Sequence, residues 1–255
     1  MKPARFLLSC AVFLAVSACP LFAAAPGGPG LSADEALKLL KDGNARYVEG
    51  KAQHPNQTRE RRALTAGQGQ KPFASVLSCS DSRAPVEILF DRGVGDILVS
   101  RVPGNVVGVN EMGAMEYGVE YLSTPLVLVL GHSQCGAVSA VVEGVKLPGH
   151  MAAPVKPIQP AVSRAKADNP GVSGEALVNA AVKANVFQAM EDLLQKSSII
   201  KGKVKAGKAR VMGALYELDT GQVQWLGSHP NQDKLLGLPK PGKPAPAKKK
   251  GRDRE

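Results

Sequence analysis

Aromatic side chains are scarce in this 255-residue sequence, with six Phe, four Tyr and one Trp. A core must therefore come from Val, Leu, Ala and Gly, which suits buried strands interleaved with close-packed helices. Cysteine is scarce as well, four in all. Cys10 and Cys19 fall in an N-terminal leader. That leaves Cys79 and Cys135 for the folded part, enough for one disulfide and no more. No segment repeats and no Gly-rich phosphate motif occurs, so nothing points to a repeat array or a nucleotide loop. Acidic residues are outnumbered, 22 against 32 basic, for a formal charge of +10. That excess does not imply nucleic-acid binding, because it is concentrated: residues 238–255 hold seven Lys or Arg against two acids. Such a block reads as a solvated tail, and no nucleic-acid partner is expected.

The apolar run from Phe6 to Val16 is too short to cross a bilayer, which takes about 20 residues. Preceded by Lys2 and Arg5, it reads as an export signal over residues 1–25. Two exits from it are open. Ala23-Ala24-Ala25 fits cleavage after small residues, although Pro26 follows at once. Val16-Ser17-Ala18-Cys19 resembles a bacterial lipobox, in which Cys19 is lipidated and becomes the first mature residue. A soluble periplasmic protein and a membrane-anchored lipoprotein stand as alternatives, and both leave the cytoplasm. Residues 26–31 read as a tether, 32–230 as one folded domain, and 231–255 as a disordered Pro/Lys-rich tail.

Within the domain, Ser32-Ala33-Asp34-Glu35 reads as a capping box opening a helix, with Gly43 and Gly50 as its weak points. Residues 51–71 are polar; Arg59, Arg61 and Arg62 read as a solvated face and His54 as a loop residue. Phe73 to Leu77 is a buried strand by length and composition, and Ile97 to Val99 a second. Arg101 to Asn105 carries turn chemistry. Met112, Met115, Val119 and Leu122 recur at helical spacing over 110–122, a core stripe. Pro125 to Leu130 is the strongest strand, ended by Gly131-His132, and a helix over Gly136 to Val142 follows. Residues 146–171, rich in Pro and Lys and containing His150, read as a surface excursion. A long amphipathic helix spans 173–197, Lys201 to Lys208 a basic loop, and Val211 to Leu226 a closing hairpin turned at Asp219-Thr220-Gly221.

The chemistry gathers in two clusters. Cys79-Ser80-Asp81-Ser82-Arg83 and His132-Ser133-Gln134-Cys135 each follow a predicted strand. In open α/β sheets, ligands bind at the carboxyl ends of strands. Two thiolates and an imidazole suit tetrahedral Zn²⁺, and three protein ligands leave a fourth position for water, the mark of a catalytic site. The bland alternatives are two buried cysteines or a disulfide, an ordinary core histidine, and a structural Asp81–Arg83 ion pair.

These two clusters closely resemble those of a β-class carbonic anhydrase. Asn44-Ala45-Arg46-Tyr47-Val48, Arg101 with Asn105, Glu116-Tyr117 and the hairpin around Tyr216 extend the resemblance over roughly residues 32–228. It implies an α/β fold with a central, mostly parallel sheet of four parallel strands plus an edge strand, flanked by helices. It further implies a homodimer or higher oligomer with active sites at the dimer interface. One Zn²⁺ per chain would be held by Cys79, His132 and Cys135, and CO₂ and bicarbonate would be the substrates. Gln70 falls at the substrate-side glutamine position, and Leu98 and Tyr117 at apolar pocket positions. A second subgroup of the family lets the aspartate bind zinc and carries an inhibitory bicarbonate pocket of Trp, Arg and Tyr. Arg101 and Tyr216 match that pocket, but Val76 stands at the tryptophan position, so the always-open subgroup is expected.

The expected reaction is reversible CO₂ hydration by a zinc-bound hydroxide. Two thiolates cancel the ion's charge, so the hydroxide should form less readily than at a three-histidine site and activity should rise through alkaline pH. Asp81 would aim the nucleophile, Arg83 would hold Asp81, and Gln70 with the Gly136 N–H would bind substrate oxygens. The alternatives are COS or CS₂ hydrolysis at the same metal, or a non-enzymatic zinc-bearing envelope protein.

Overall fold

A computed structural model describes residues 30–238. The leader, its lipobox and the basic segment from 239 onward lie outside the described residues. In chain order the elements are α1 (Ala33–Val48), α2 (Arg59–Gln68), β1 (Ala74–Ser78), α3 (Val86–Leu89), β2 (Ile97–Arg101), α4 (Val109–Glu120), β3 (Leu126–His132), α5 (Gly136–Glu143), α6 (Ala152–Val155), α7 (Gln159–Asp168), α8 (Gly174–Lys196), α9 (Ser198–Lys205), β4 (Arg210–Tyr216), β5 (Val223–Gly227) and α10 (Gln232–Leu236).

The strands form one sheet in the order β2-β1-β3-β4-β5. The first four are parallel and β5 runs antiparallel to β4 as an edge. This is the expected architecture. Every residue of β3 is buried, as a strand covered on both faces must be. Its side chains alternate between two cores. Leu126, Leu128 and Leu130 join Val76, Met212 and Ala214 on one face, under α1 and α3. Val127 and Val129 join Leu77, Val211 and Leu215 on the other, under α4 and α8. Burying each Leu or Val contributes roughly 1.5–3 kcal/mol, so this strand is the main anchor of the sheet.

The capping box is formed. Ser32 Oγ accepts from the Glu35 N–H at 3.2 Å, and the Ser32 N–H donates to Glu35 Oε2 at 2.7 Å. Gly43 is no weak point: a Cβ there would stand 1.8 Å from the Phe90 carbonyl oxygen, so glycine lets α1 lie directly on the chain after α3. Asn44 completes the seam, donating to the Leu89 and Gly221 carbonyls and accepting from the Val223 N–H.

Several readings are corrected. Arg61 is not simply solvated: in α2 it donates to the Val94 carbonyl and pairs with Asp96 at 3.2 Å. Residues 146–171 are no surface excursion, because α6, α7 and the turn between them bury Val155, Ile158, Ala161, Val162 and Ala165 against the rest. Five prolines obscured that pattern, yet one, Pro160, lies in the first turn of α7, where a missing N–H costs nothing. The basic loop at 201–208 is mostly α9, capped by Ser197 and anchored by fully buried Ile200. The folded part passes residue 230, since α10 buries Leu235 and Leu236.

Candidate metal centre

β1 and β3 are neighbours in register, Ser78 opposite Leu130. Their carboxyl ends therefore bring Cys79 and His132 to one edge of the sheet. Cys135 follows a short turn as the residue before α5. The three are 4%, 1% and 1% exposed. Their donor atoms lie within 4.8 Å of one another.

His132 is oriented by its neighbour. Its Nδ1 lies 2.8 Å from the Ser133 carbonyl oxygen. A carbonyl only accepts, so Nδ1 carries the proton and Nε2 presents a lone pair. Nε2 is buried without a hydrogen-bond partner. The two sulfurs are 3.9 Å apart. That is far beyond a disulfide bond, about 2.05 Å, and near the roughly 3.8 Å expected of two thiolates 2.3 Å from one tetrahedral ion. The donor set thus fits Zn²⁺.

Electrostatics agree. The Cys135 thiol hydrogen-bonds to the Cys79 sulfur and, against the opposing effect of burial, drives it down to about 4, with help from the Gly104 N–H. The same contact, with burial, drives Cys135 strongly up. Protein alone thus lets one thiol ionise while the other keeps its proton, and a cation would favour both thiolates. No hydrogen bond of normal geometry caps α5 from the Cys135 side chain. The N–H groups of Ala137 and Val138 still favour its ionised form. The first turn of α5 thus directs the Ala137 and Val138 N–H groups at the Cys135 sulfur.

Asp81 stands beside the cluster, Oδ2 3.9 Å from His132 Nε2. Arg83 grips it with Nε on Oδ1 at 3.0 Å and Nη2 on Oδ2 at 2.8 Å, and the Arg83 N–H adds a third bond at 2.9 Å. The guanidinium bonds hold the Asp81 carboxyl down at about 2 despite its partial burial. Arg83 also reaches the Gln134 carbonyl at 3.3 Å, tying the two motifs together.

Sequence reasoning missed the part played by Arg101. Its Nε donates to the Cys79 carbonyl at 2.8 Å and its Nη2 to the Asp81 carbonyl. It clamps the loop that carries the thiol and the carboxylate. Tyr216 lies opposite His132 in the β3–β4 register, its hydroxyl 3.5 Å from that of Tyr47. Val76 is fully buried in the sheet.

Of the remaining predicted residues, Gln70, Leu98 and Tyr117 stand on other segments than the cluster, and Gly136 adjoins it. Gln70 is exposed in the loop before β1. Leu98 pairs with Ser75, three residues or about 10 Å before the end of β2. Tyr117 stacks on Tyr121 along α4. Gly136 opens α5 next to Cys135, with open space where a Cβ would be.

A family model described as carbonic anhydrase matches residues 74–223. A protein named Carbonic anhydrase 2 from Mycobacterium tuberculosis is 37% identical over 198 residues, covering 76% of this chain and 93% of its own length. One named Carbonic anhydrase from Mycolicibacterium smegmatis is 39% identical over 198 residues, with the same 76% and 93% coverage. Among solved structures, the β-carbonic anhydrase CafA of Aspergillus fumigatus superposes with a TM-score of 0.64 at 23% identity, over 80% of this chain and 94% of that one, a likeness of fold.

Proposed function

The chain belongs to the β-class carbonic anhydrase family, and from that premise we propose that it catalyses the reversible hydration of CO₂ to bicarbonate and a proton at a Zn²⁺ held by Cys79, His132 and Cys135. The observation that carries this is the convergence of two buried sulfurs and the unpartnered His132 Nε2, with an anchored carboxylate beside them.

When bound, the metal supplies the Lewis acidity that makes water nucleophilic near neutral pH. The chain supplies the rest. Asp81, ionised well below neutrality, is an acceptor only and takes the hydrogen bond of the attacking water, so the lone pair faces carbon. Arg83 holds both carboxylate oxygens in a fork and keeps Asp81 from turning toward the metal ligands. The Ser133 carbonyl keeps the proton on His132 Nδ1 and so fixes the ligand's ring. Arg101 keeps the Cys79 and Asp81 backbone in place throughout.

Gln70, Leu98, Tyr117 and Gly136 are read as the substrate side of the pocket, the first three completed across a homodimer. Support comes from the open edge of the sheet. β2 is partly exposed along most of its length, and nearby α4 shows Val109 at 90% and Tyr121 at 57% exposure. Export to the periplasm, soluble or anchored through Cys19, rests on the composition of residues 1–25. Cell fractionation with a Cys19→Ala variant separates the two forms.

The direct test is stopped-flow CO₂ hydration by the zinc-loaded full chain, with Cys135→Ala as control. Fast, zinc-dependent hydration that the control lacks supports the reading. Zinc binding with hydration no faster than the control would defeat it and turn the assay to COS and CS₂.

A further inference from the structure

Asn185 sits in the middle of α8 at 1% exposure, on a face otherwise made of Ala181, Val182, Val186 and Ala189. An amide in such a place is costly unless its bonding capacity is used. Its Nδ2 donates to the Gly104 carbonyl oxygen at 2.6 Å. The Gly104 N–H in turn donates to Cys79 Sγ at 3.3 Å. A buried helix and a sulfur of the metal centre are thus joined through a single residue of the loop after β2.

That loop needs an outside hold. Gly104 and Asn105 both adopt positive φ, +72° and +44°. Glycine has the widest conformational freedom of any residue, so contacts must decide where the Gly104 N–H points. Ile158 closes one side, its Cδ1 2.6 Å from where a Cβ would be. The Asn185 amide fixes the carbonyl on the other.

We propose that Asn185 is a positioning residue for the metal centre: by holding the Gly104 carbonyl it keeps the Gly104 N–H on the Cys79 sulfur. The inference rests on the reading of Cys79 as a metal ligand. Its consequence is electronic. Two thiolates donate heavily and offset the charge of a divalent cation. An N–H bonded to one of them withdraws electron density from that sulfur and leaves the metal a stronger Lewis acid.

Two variants test it in the full chain. Asn185→Leu keeps the volume without the amide, and Asn185→Ala removes the donor with the smallest side chain that still suits a helix. The readouts are the thiolate-to-cobalt charge-transfer absorption of the Co²⁺-loaded protein, CO₂ hydration by the Zn²⁺-loaded protein, and thermal unfolding. With the N–H displaced, the sulfur donates more strongly, so the absorption moves to longer wavelength. Hydration kcat falls by about 10–100-fold, the usual scale for outer-sphere partners of a metal ligand, while KM holds. A purely structural role would lower the melting temperature and leave the absorption in place. An absorption at the wild-type position in either folded variant overturns the proposal. If the wild-type protein itself shows no such absorption, the metal-centre reading fails and this inference with it, which distinguishes the two failures.

Discussion

Arg83 holds Asp81 through two side-chain bonds of 3.0 and 2.8 Å, and the same guanidinium touches the Gln134 carbonyl at 3.3 Å. One cation therefore sets the distance between the two motifs. Lysine has a point charge and no fork. Arg83→Lys should keep the fold, since the residue is largely exposed, but let the carboxylate swing. Misplacing a catalytic group by about 1 Å costs on the order of 100-fold in rate. The expected result is a loss of that size in kcat/KM with an unchanged melting temperature, read by stopped-flow and calorimetry.

Metal removal should register in stability as well as activity. The ligands come from the ends of β1 and β3 and the start of α5, so a bound ion ties three segments together. A ligand present at 1,000 times its Kd stabilises the native state by about 4 kcal/mol. For a domain of this size that is roughly 8–16 °C in Tm. Dialysis against a strong chelator should lower Tm by that amount, and added Zn²⁺ should restore it.

Asn44 offers a test of the fold away from the site. Its amide satisfies two carbonyls and one N–H across α1, the end of α3 and the hairpin. Asn44→Ala would orphan these groups, at about 1–3 kcal/mol each before water relieves part of it. Urea unfolding should show a loss of roughly 2–5 kcal/mol, with the denaturant slope unchanged.

Asp91 should give the protein part of its acid sensitivity. Its side chain is fully buried and accepts from Arg46 Nε at 2.6 Å and from the Gln53 and His54 N–H groups. Burial pushes its carboxyl up, but these donors outweigh burial and hold it below the ordinary 3.8. A carboxyl depressed in the folded state stabilises the protein above its unfolded value. That contribution is lost as pH falls from near 3.8 through the lower folded value. Comparing urea midpoints of wild type and Asp91→Asn between pH 5 and 3 should show the shallower acid slope in the variant.

What was readable in the sequence was whatever local pattern controls. Short continuous apolar runs marked β1 and β3, the Ser32–Glu35 cap marked α1, and the two motifs marked the metal ligands with Asp81 and Arg83. Where composition masked periodicity, reading failed. The prolines of 146–171 hid the buried face of α7, and the lysines after 200 hid α9, which holds the core through Ile200 and partly buried Val204. Gly43 read as a helix defect because its value lies in a neighbour, the Phe90 carbonyl, 47 residues further along the chain.

By itself, then, the sequence determined the strands, the capped first helix and the chemical identity of the metal-binding set, because thiol, imidazole and carboxylate carry their chemistry wherever they are placed. Tertiary structure alone decided their arrangement. The β1–β3 register puts Cys79 beside His132, Arg101 folds back onto the Cys79 and Asp81 carbonyls, and Asn185 reaches Gly104 from a helix 81 residues away in sequence. Hydrogen bonds to backbone carbonyls leave no mark on residue type at the accepting position, so these contacts emerge only once the chain has folded.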